Sequence, residues 1–228
     1  MKKRIFYLLL LMPAWLAAQN ITGRITADGR GVKGVAVSDG DVVVVTDGDG
    51  RYEMQSAKRN GYVFYTLPRG YVPELADGFN PQFWQRLQSP STTADEVHDF
   101  RLTKQKNDNY RLIIGADTHL ANRVKDLEQF RRGFIPCLQK EREAACGEPV
   151  YSMLLGDLSW DIYWTQNKFN LHDFVRTCKE MGYSVPLFPV IGNHDVYFDC
   201  TPFYKQYFHT STYTVTVKTV GGYQDLYI

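Results

Sequence analysis

Two patterns of apolar residues divide this chain. From residue 21 to residue 102, short apolar runs alternate with turn residues such as Asp28-Gly29 and Asp39-Gly40. Asp-Gly pairs favour the positive-φ turns that join antiparallel strands. The pattern predicts a small all-β sandwich, and its candidate strands are Val35–Val37, Val42–Val45, Tyr62–Leu67 and Phe100–Leu102.

The polar stretch 104–109 marks a boundary, and after it the period of the apolar positions changes. Strand-like runs at 110–116, 151–155 and 185–191 alternate with two amphipathic stretches. The first stretch extends from Arg123 to Ala145 with Pro136 as a kink or a break, and Gly182 ends the second. The βαβαβ order predicts a mostly parallel sheet flanked by helices.

The first nineteen residues have the composition of an export signal. A basic stretch at 2–4 precedes an apolar run from Ile5 to Ala18. That run is shorter than the roughly 20 residues that span a bilayer. We expect cleavage beside Gln19 and an exported protein, periplasmic or secreted, with no membrane span after signal cleavage.

The composition is that of a globular protein whose net charge is close to zero. Of 228 residues, 44% are hydrophobic, and 26 basic residues balance 25 acidic ones to a net charge of +1. This balance gives no support for a nucleic-acid partner. The four cysteines could pair in three ways, and we expect mostly free, buried thiols.

Three short motifs carry the candidate chemistry. Asp117-Thr118-His119 follows the first predicted strand of the parallel sheet, Gly156-Asp157 follows the second, and Gly192-Asn193-His194-Asp195 follows the third. Ligands gather at the carboxyl ends of parallel strands, so these motifs should meet. An extended backbone would point Asp117 and His119 to the same side, where both can bind one ion.

The order of the motifs resembles that of the calcineurin-like metallophosphoesterases, whose blocks are D-x-H, G-D and G-N-H-D. The resemblance covers roughly residues 109–195. It implies two divalent metal ions, with Asp117 and His119 binding the first, Asp157 bridging and Asn193 binding the second. Mixed oxygen and imidazole ligands suit manganese, iron or zinc.

The same resemblance implies roles for the two remaining polar residues of the third motif. His194 would contact the scissile phosphate and the leaving oxygen, and Asp195 would orient His194. Asp161 could support the metal ligands from behind. Trp160, Tyr163 and Trp164 could line a pocket for an organic leaving group, or they could be core or interface aromatics.

The N-terminal sandwich resembles the carboxypeptidase-regulatory-like domains that precede catalytic domains in exported bacterial proteins. The motif Asp47-x-Asp49-Gly50 could suggest calcium, but the other oxygen ligands are missing and a hairpin turn is the preferred interpretation. The segment from Pro73 to Asp95 is either a long ordered loop of the sandwich or a contact surface for the next domain. Its aromatic residues include Phe79, Phe83 and Trp84.

The chain departs from the phosphoesterase pattern after Asp195. A lone His and a Gly-His-x-His block are expected downstream, and His209 is the only later histidine. We therefore expect a fragment: a signal peptide at 1–19, a β-sandwich at 20–104, and at 105–228 the N-terminal part of an α/β metallophosphoesterase domain, incomplete at its C-terminus and closing on a hairpin.

Two functions stay open from the sequence. The first is an exported metallophosphoesterase that hydrolyses phosphate mono- or diesters with a two-metal-activated water, in which case this chain lacks the last metal ligands. The second is a non-catalytic module that binds a glycan or a protein and carries a degenerate metal site. Intact motif residues, His194 above all, favour the first.

Overall fold

A computed structural model describes residues 20–195 and the backbone of residues 214–219 and 222–227. The predicted signal peptide lies outside the described residues. Within them, no helix is long and apolar enough to cross a membrane.

The N-terminal region is built from twelve short strands. They are β1 Ile21–Ala27, β2 Arg30–Gly31, β3 Ala36–Ser38, β4 Val43–Val45, β5 Arg51–Met54, β6 Tyr62–Tyr65, β7 Tyr71–Pro73, β8 Leu75–Ala76, β9 Asn80–Pro81, β10 Trp84–Arg86, β11 Glu96–Val97 and β12 Phe100–Lys104.

Two sheets hold most of these strands. In the first sheet the order is β11-β1-β12-β7, with β2 and β5 also paired to β1, and in the second it is β10-β6-β3-β4. Strand β1 is the centre of the first sheet, because it pairs in parallel with β11 and β12 and antiparallel with β5 and β2. The sequence pattern did not single out this strand.

Alternating burial produces the core between the sheets. In β5 and β6 every second residue is buried, as expected when one face of a strand packs inward. Tyr65 of the second sheet contacts Phe100 of the first, with ring centroids 5.1 Å apart. The predicted β-sandwich is therefore present.

The turn between β4 and β5 is held by one side chain. The carboxylate of Asp47 accepts hydrogen bonds from the backbone N–H groups of Asp49 and Arg51 at 2.8 and 2.9 Å. These bonds are those of an Asx turn, in agreement with the preferred hairpin interpretation.

A charged cluster is buried at the edge of the sandwich. Lys58 Nζ lies 2.6 Å from Glu96 Oε1, and His98 Nε2 lies 3.0 Å from Glu96 Oε2. Burial raises the pKa of Glu96, but hydrogen bonds from Lys58, from two backbone N–H groups and from His98 outweigh this effect and lower the pKa to about 2. Glu96 is thus a buried carboxylate whose negative charge is fully compensated.

The second region begins with a parallel sheet. Strands β13 Arg111–Ala116, β14 Val150–Leu155 and β15 Leu187–Val190 lie in the order β13-β14-β15, and both pairs are parallel. All residues of β14 except the last are buried, as in a central strand of a parallel sheet. The three predicted strands and their parallel pairing are confirmed.

Helical segments connect these strands and complete the core. Their bounds are α1 Asp126–Gln129, a π-helical turn Phe130–Phe134, α2 Ile135–Ala144, α3 Tyr163–Gln166, α4 Leu171–Glu180 and a 3₁₀ turn Asn193–Asp195. Leu138, Phe174 and Leu154 are among the residues at the centre of the shared core.

The first helical stretch differs from the prediction at its start and its middle. The helix begins at Asp126 and not at Arg123, and a π-helical turn precedes Ile135. Pro136 lies in the first turn of α2, directly after the π-helical turn, and it has no N–H with which to continue the α-helical bonding of the preceding turn. Pro136 therefore starts a new α-helical segment.

The segment between β7 and β10 joins the two regions. Phe79 is fully buried in the core of the second region. Its ring centroid is 5.5 Å from that of Tyr183, and its carbonyl accepts a hydrogen bond from Leu187 N. Phe83 contacts Phe188 in the same way, at 5.8 Å. The contact-surface interpretation is therefore confirmed, whereas the long loop is wrong, because the segment contains the strands β8, β9 and β10.

The remaining predictions concern the cysteines and the hairpin. Cys178 is a free, buried thiol, whereas Cys137 and Cys146 are free but exposed, which corrects the expectation that they are buried. Cys200 lies outside the described residues. Strands β16 Thr214–Thr219 and β17 Gly222–Tyr227 form the predicted antiparallel hairpin.

Candidate metal centre

Side chains from all three motifs meet at the carboxyl ends of the parallel strands. His119, Asp157 and His194 each offer a ligand atom, and these atoms all lie within 4.8 Å of one another. Each residue follows the end of its own strand: β13 ends at Ala116, β14 at Leu155 and β15 at Val190. The sheet thus brings together groups that lie up to 75 positions apart.

Asp157 is the centre of the cluster. One carboxylate oxygen accepts a hydrogen bond from His194 N at 2.9 Å, and the other lies 3.1 Å from His119 Nε2. Burial raises the pKa of Asp157, but the hydrogen bonds from His194 and His119 outweigh it and lower the pKa below its usual value. Asp157 is therefore ionised, as a metal ligand must be.

Two glycines make this close arrangement possible. A Cβ on Gly192 would lie 2.2 Å from both the backbone N and the Oδ1 of Asp157, where no atom fits. Gly156 has φ +81°, a conformation that glycine adopts without strain, and its Cα faces Gly192 closely. Both motif glycines are thus required by packing around Asp157.

The first motif reaches the cluster by a different route from the one expected. Asp117 and His119 have φ values of 52° and 43°, in the left-handed region, so the proposed extended backbone is wrong. Strained backbone of this kind concentrates at functional sites. The Oδ1 of Asp117 still lies 3.7 Å from His119 Nε2, and the side chain of Asp117 is 64% exposed.

His194 is oriented by Asp161 and not by Asp195. The distance between His194 Nδ1 and Asp161 Oδ1 is 2.5 Å, and the Asp161 carboxylate is buried. An ionised carboxylate can only accept, so Nδ1 carries the proton and Nε2 is left for other contacts. Asp161, which the sequence analysis places behind the metal ligands, is thus the partner of the His194 ring in place of Asp195.

Asp195 has a structural environment instead. Its fully buried carboxylate accepts hydrogen bonds from the backbone N–H groups of Gly192 at 3.0 Å, Leu158 at 3.1 Å and Ser159 at 3.4 Å. Burial raises the pKa of Asp195 to about 6 although these bonds oppose the shift. Asp195 therefore ties the 3₁₀ turn at 193–195 to the segment that follows β14.

Asn193 is the predicted ligand with the least support from the geometry. Asn193 is exposed and lies at the start of the 3₁₀ turn, next to His194. Its proposed binding of a second ion stays a prediction.

The geometry of the cluster fits a divalent metal ion. Two ligands of one first-row ion, with bonds of about 2.1 Å and angles near 90–110°, lie roughly 3.0–3.4 Å apart. The 3.1 Å between His119 Nε2 and Asp157 Oδ2 is in this range. Imidazole and carboxylate donors in one cluster suit manganese, iron or zinc.

An aromatic wall borders the cluster. The ring of Trp160 lies 4.8 Å from that of His119 and 5.8 Å from that of His194, between centroids. Tyr163 meets Trp160 edge to face at 5.2 Å. Trp164 differs, since its indole N–H donates to Ser159 Oγ and its ring packs against the core. Trp160 and Tyr163 therefore lie beside the cluster, and a pocket for a leaving group stays a prediction for them, whereas Trp164 is a core aromatic.

Part of this chain is similar to a known protein family. Residues 19–105 match the family model described as the N terminal of calcineurin-like phosphoesterase. The match covers less than half of the chain and falls on the sandwich. The resemblance to calcineurin-like phosphoesterases is thereby confirmed. The matched residues are those of the sandwich, whereas the three motifs lie after them in the chain.

The other comparisons add little. A search of curated proteins found no match. Among solved structures, the shaft pilin SpaA from Lactobacillus rhamnosus GG, as the D295N mutant, matches 43% of this chain at 14% identity with a TM-score of 0.25. The chain spans 52% of that structure's chain, and a likeness of this size carries no argument.

Proposed function

We propose that this chain is part of an exported, metal-dependent phosphoesterase that hydrolyses phosphate mono- or diesters. The observation that carries the proposal is the convergence of His119, Asp157 and His194 at the carboxyl ends of three parallel strands. The calcineurin-like phosphoesterase match of residues 19–105 supports the same class, because such families bind divalent metals.

The residues that would hold metal are Asp117, His119, Asp157 and Asn193. When bound, two divalent ions supply charge neutralisation at the phosphate oxygens and lower the pKa of a water. Asp157 has two oxygens with different neighbours, His119 on one and the backbone of His194 on the other. This arrangement suits a carboxylate that bridges two positions.

His194 would act on the leaving group. Asp161 accepts the hydrogen on Nδ1, so an imidazolium at His194 would present its second N–H, on Nε2, to donate a hydrogen bond or a proton to the departing oxygen. Asp161 fixes the ring orientation and stabilises its positive charge. The imidazole of His194 lies beside that of His119, at 5.1 Å between centroids, so it can reach a phosphate held at the cluster.

The test uses the complete phosphoesterase of which this chain is part, loaded with manganese, iron or zinc in turn, with 4-nitrophenyl phosphate and bis(4-nitrophenyl) phosphate as substrates. We expect metal-dependent turnover of at least one of them. His194→Ala should lose about 10²–10⁴-fold in kcat and keep its metal, measured by elemental analysis. Asp157→Asn should lose the metal itself, because it removes the central charge.

His172→Ala is the matched control, since His172 lies on α4 and is not part of the cluster. Turnover by His194→Ala at the parental rate would refute its role, and metal loss in that variant would make His194 a ligand. A parent protein that binds no metal and hydrolyses neither ester would favour the non-catalytic binding module.

A further inference from the structure

Arg123 lies at the edge of the metal centre, on the loop that follows β13. Its guanidinium carbon is 4.8 Å from the ring centroid of Trp160 and 4.6 Å from that of Tyr163. The Nη1 group also donates a hydrogen bond to the Tyr163 hydroxyl. Trp160 also contacts His119, at 4.8 Å between ring centroids, so Arg123 and the predicted metal ligand His119 share Trp160 as a neighbour.

The positive charge of Arg123 has no acidic partner in the described part of the chain. No ion pair within 4.0 Å among residues 20–195 includes its guanidinium. Asp126, the nearest carboxylate along the chain, accepts instead from the backbone N–H groups of Ala121 at 2.7 Å and Arg123 at 2.9 Å. Arg123 is also an exposed residue, so an incoming anion can reach its side chain.

The loop that carries Arg123 is fixed before any ligand arrives. Asn167 Nδ2 donates to the Ala121 carbonyl at 2.8 Å and so ties the loop to the segment after α3. Val124 and Lys125 have φ values of 51° and 64°, and a β-branched residue such as valine rarely adopts this conformation. Strain of this kind persists only where surrounding contacts impose it.

We propose that Arg123, held against Trp160 and Tyr163, binds a second anionic group on the substrate, and that the preferred substrates are phosphate esters whose leaving group carries a carboxylate or another phosphate. The proposal rests on the proposed function for the position of the scissile phosphate. A leaving group that extends from the metal centre past Trp160 would bring its second anion to the guanidinium.

The chemistry of the guanidinium favours this ligand class. Arginine presents several donors in a planar fork that matches carboxylate and phosphate oxygens, and one of its edges remains after the bond to Tyr163. Contact with two aromatic rings restricts the side chain, so little rotational freedom is lost when an anion binds. Trp160 would contact the body of the leaving group in the same complex.

The test compares two substrates that differ in one charge: 4-carboxyphenyl phosphate and its neutral 4-carbamoylphenyl counterpart. The same comparison is made for binding by isothermal titration calorimetry, with hydrolysis-resistant 4-carboxybenzylphosphonate and 4-carbamoylbenzylphosphonate. For the parent we expect the carboxylate to be preferred about tenfold in kcat/KM and in Kd. In Arg123→Gln this ratio should fall to about one, and Arg123→Lys should retain only part of it.

Arg132→Gln is the control, because it removes the same charge from an exposed arginine that pairs with Glu128. Its ratio should equal that of the parent. The proposal is overturned if the parent shows no preference for the carboxylate, if Arg123→Gln keeps the preference, or if Arg132→Gln loses it equally. If the parent hydrolyses neither ester, the proposed function fails, whereas the phosphonate affinities still decide the role of Arg123.

Discussion

The carboxylate of Asp161 holds the imidazole of His194, with 2.5 Å between Asp161 Oδ1 and His194 Nδ1. His194 also belongs to the cluster that it forms with His119 and Asp157, and Asp161 lies next to that cluster. A buried carboxylate behind an imidazole fixes the tautomer and the direction of the ring. Four positions separate Asp161 from Asp157, so both come from the loop after β14.

Asp161→Asn should impair turnover without removing metal. The amide keeps the shape but removes the charge that orients and stabilises the His194 ring, so we expect kcat to fall about 10–100-fold while KM changes little. The pH dependence of kcat should also change, which a purely structural role would not cause. Asp77→Asn is the control, since Asp77 pairs with Lys179 on the surface. An unchanged kcat in Asp161→Asn would show that His194 works without this partner.

Gly192→Ala should remove metal although it replaces no predicted ligand. The new Cβ would lie 2.2 Å from Asp157 N and Oδ1, so Asp157 must move away from His119. Elemental analysis should then find less metal than in the parent. Gly133→Ala is the control, because a Cβ at that position meets no atom within 4 Å. Equal metal content in the parent and Gly192→Ala would contradict the packing argument.

Asp195→Asn should destabilise the second region. The carboxylate accepts from three backbone N–H groups, and an amide turned toward them has only one oxygen to offer. Unsatisfied buried donors cost about 1–3 kcal/mol each, so we expect a loss of roughly 2–4 kcal/mol in the free energy of unfolding. Urea titration followed by tryptophan fluorescence measures it. The exposed Asp95→Asn should stay within about 0.5 kcal/mol of the parent, and a similarly small change in Asp195→Asn would contradict the structural role.

The buried charge cluster of the sandwich predicts a dependence of stability on pH. The pKa of Glu96 is lowered from 4.5 to about 2, so its ionisation stabilises the folded state above pH 4.5. This contribution, on the order of 3 kcal/mol, is lost as the pH falls from 4.5 through 2. Glu96→Gln should be less stable at neutral pH, because Lys58 loses its partner, and should lack the acid-dependent loss.

Hydrogen exchange in β1 and β12 measures this effect locally, since both strands belong to the sandwich. The exposed Glu53→Gln on β5 is the control and should keep the parental pH dependence. If the parent and Glu96→Gln lost protection in parallel between pH 5 and 2, another group would be responsible.

The sequence alone determined the architecture and the identity of the main chemical groups. Apolar residues alternate in the first hundred positions, and their period changes afterwards. These periods show which face of each strand or helix is buried, and they can be read from neighbouring residues in the sequence. The rule that ligands gather at the carboxyl ends of parallel strands then placed His119, Asp157 and His194 together. The central strand β1 was missed because its apolar residues, Ile21 and Ile25, lie four apart and give no clear alternation.

Only the tertiary structure decided how the site is held. Asp161 and Asp195 are both acidic residues close to a motif, and nothing local shows that one contacts an imidazole while the other accepts from backbone N–H groups. Likewise, no local pattern connects Arg123 with Trp160, 37 positions later. Such contacts depend on the conformation of loops, in which residues with left-handed backbone and long-range hydrogen bonds set the direction of each side chain. Loop conformation in turn depends on contacts with the rest of the fold.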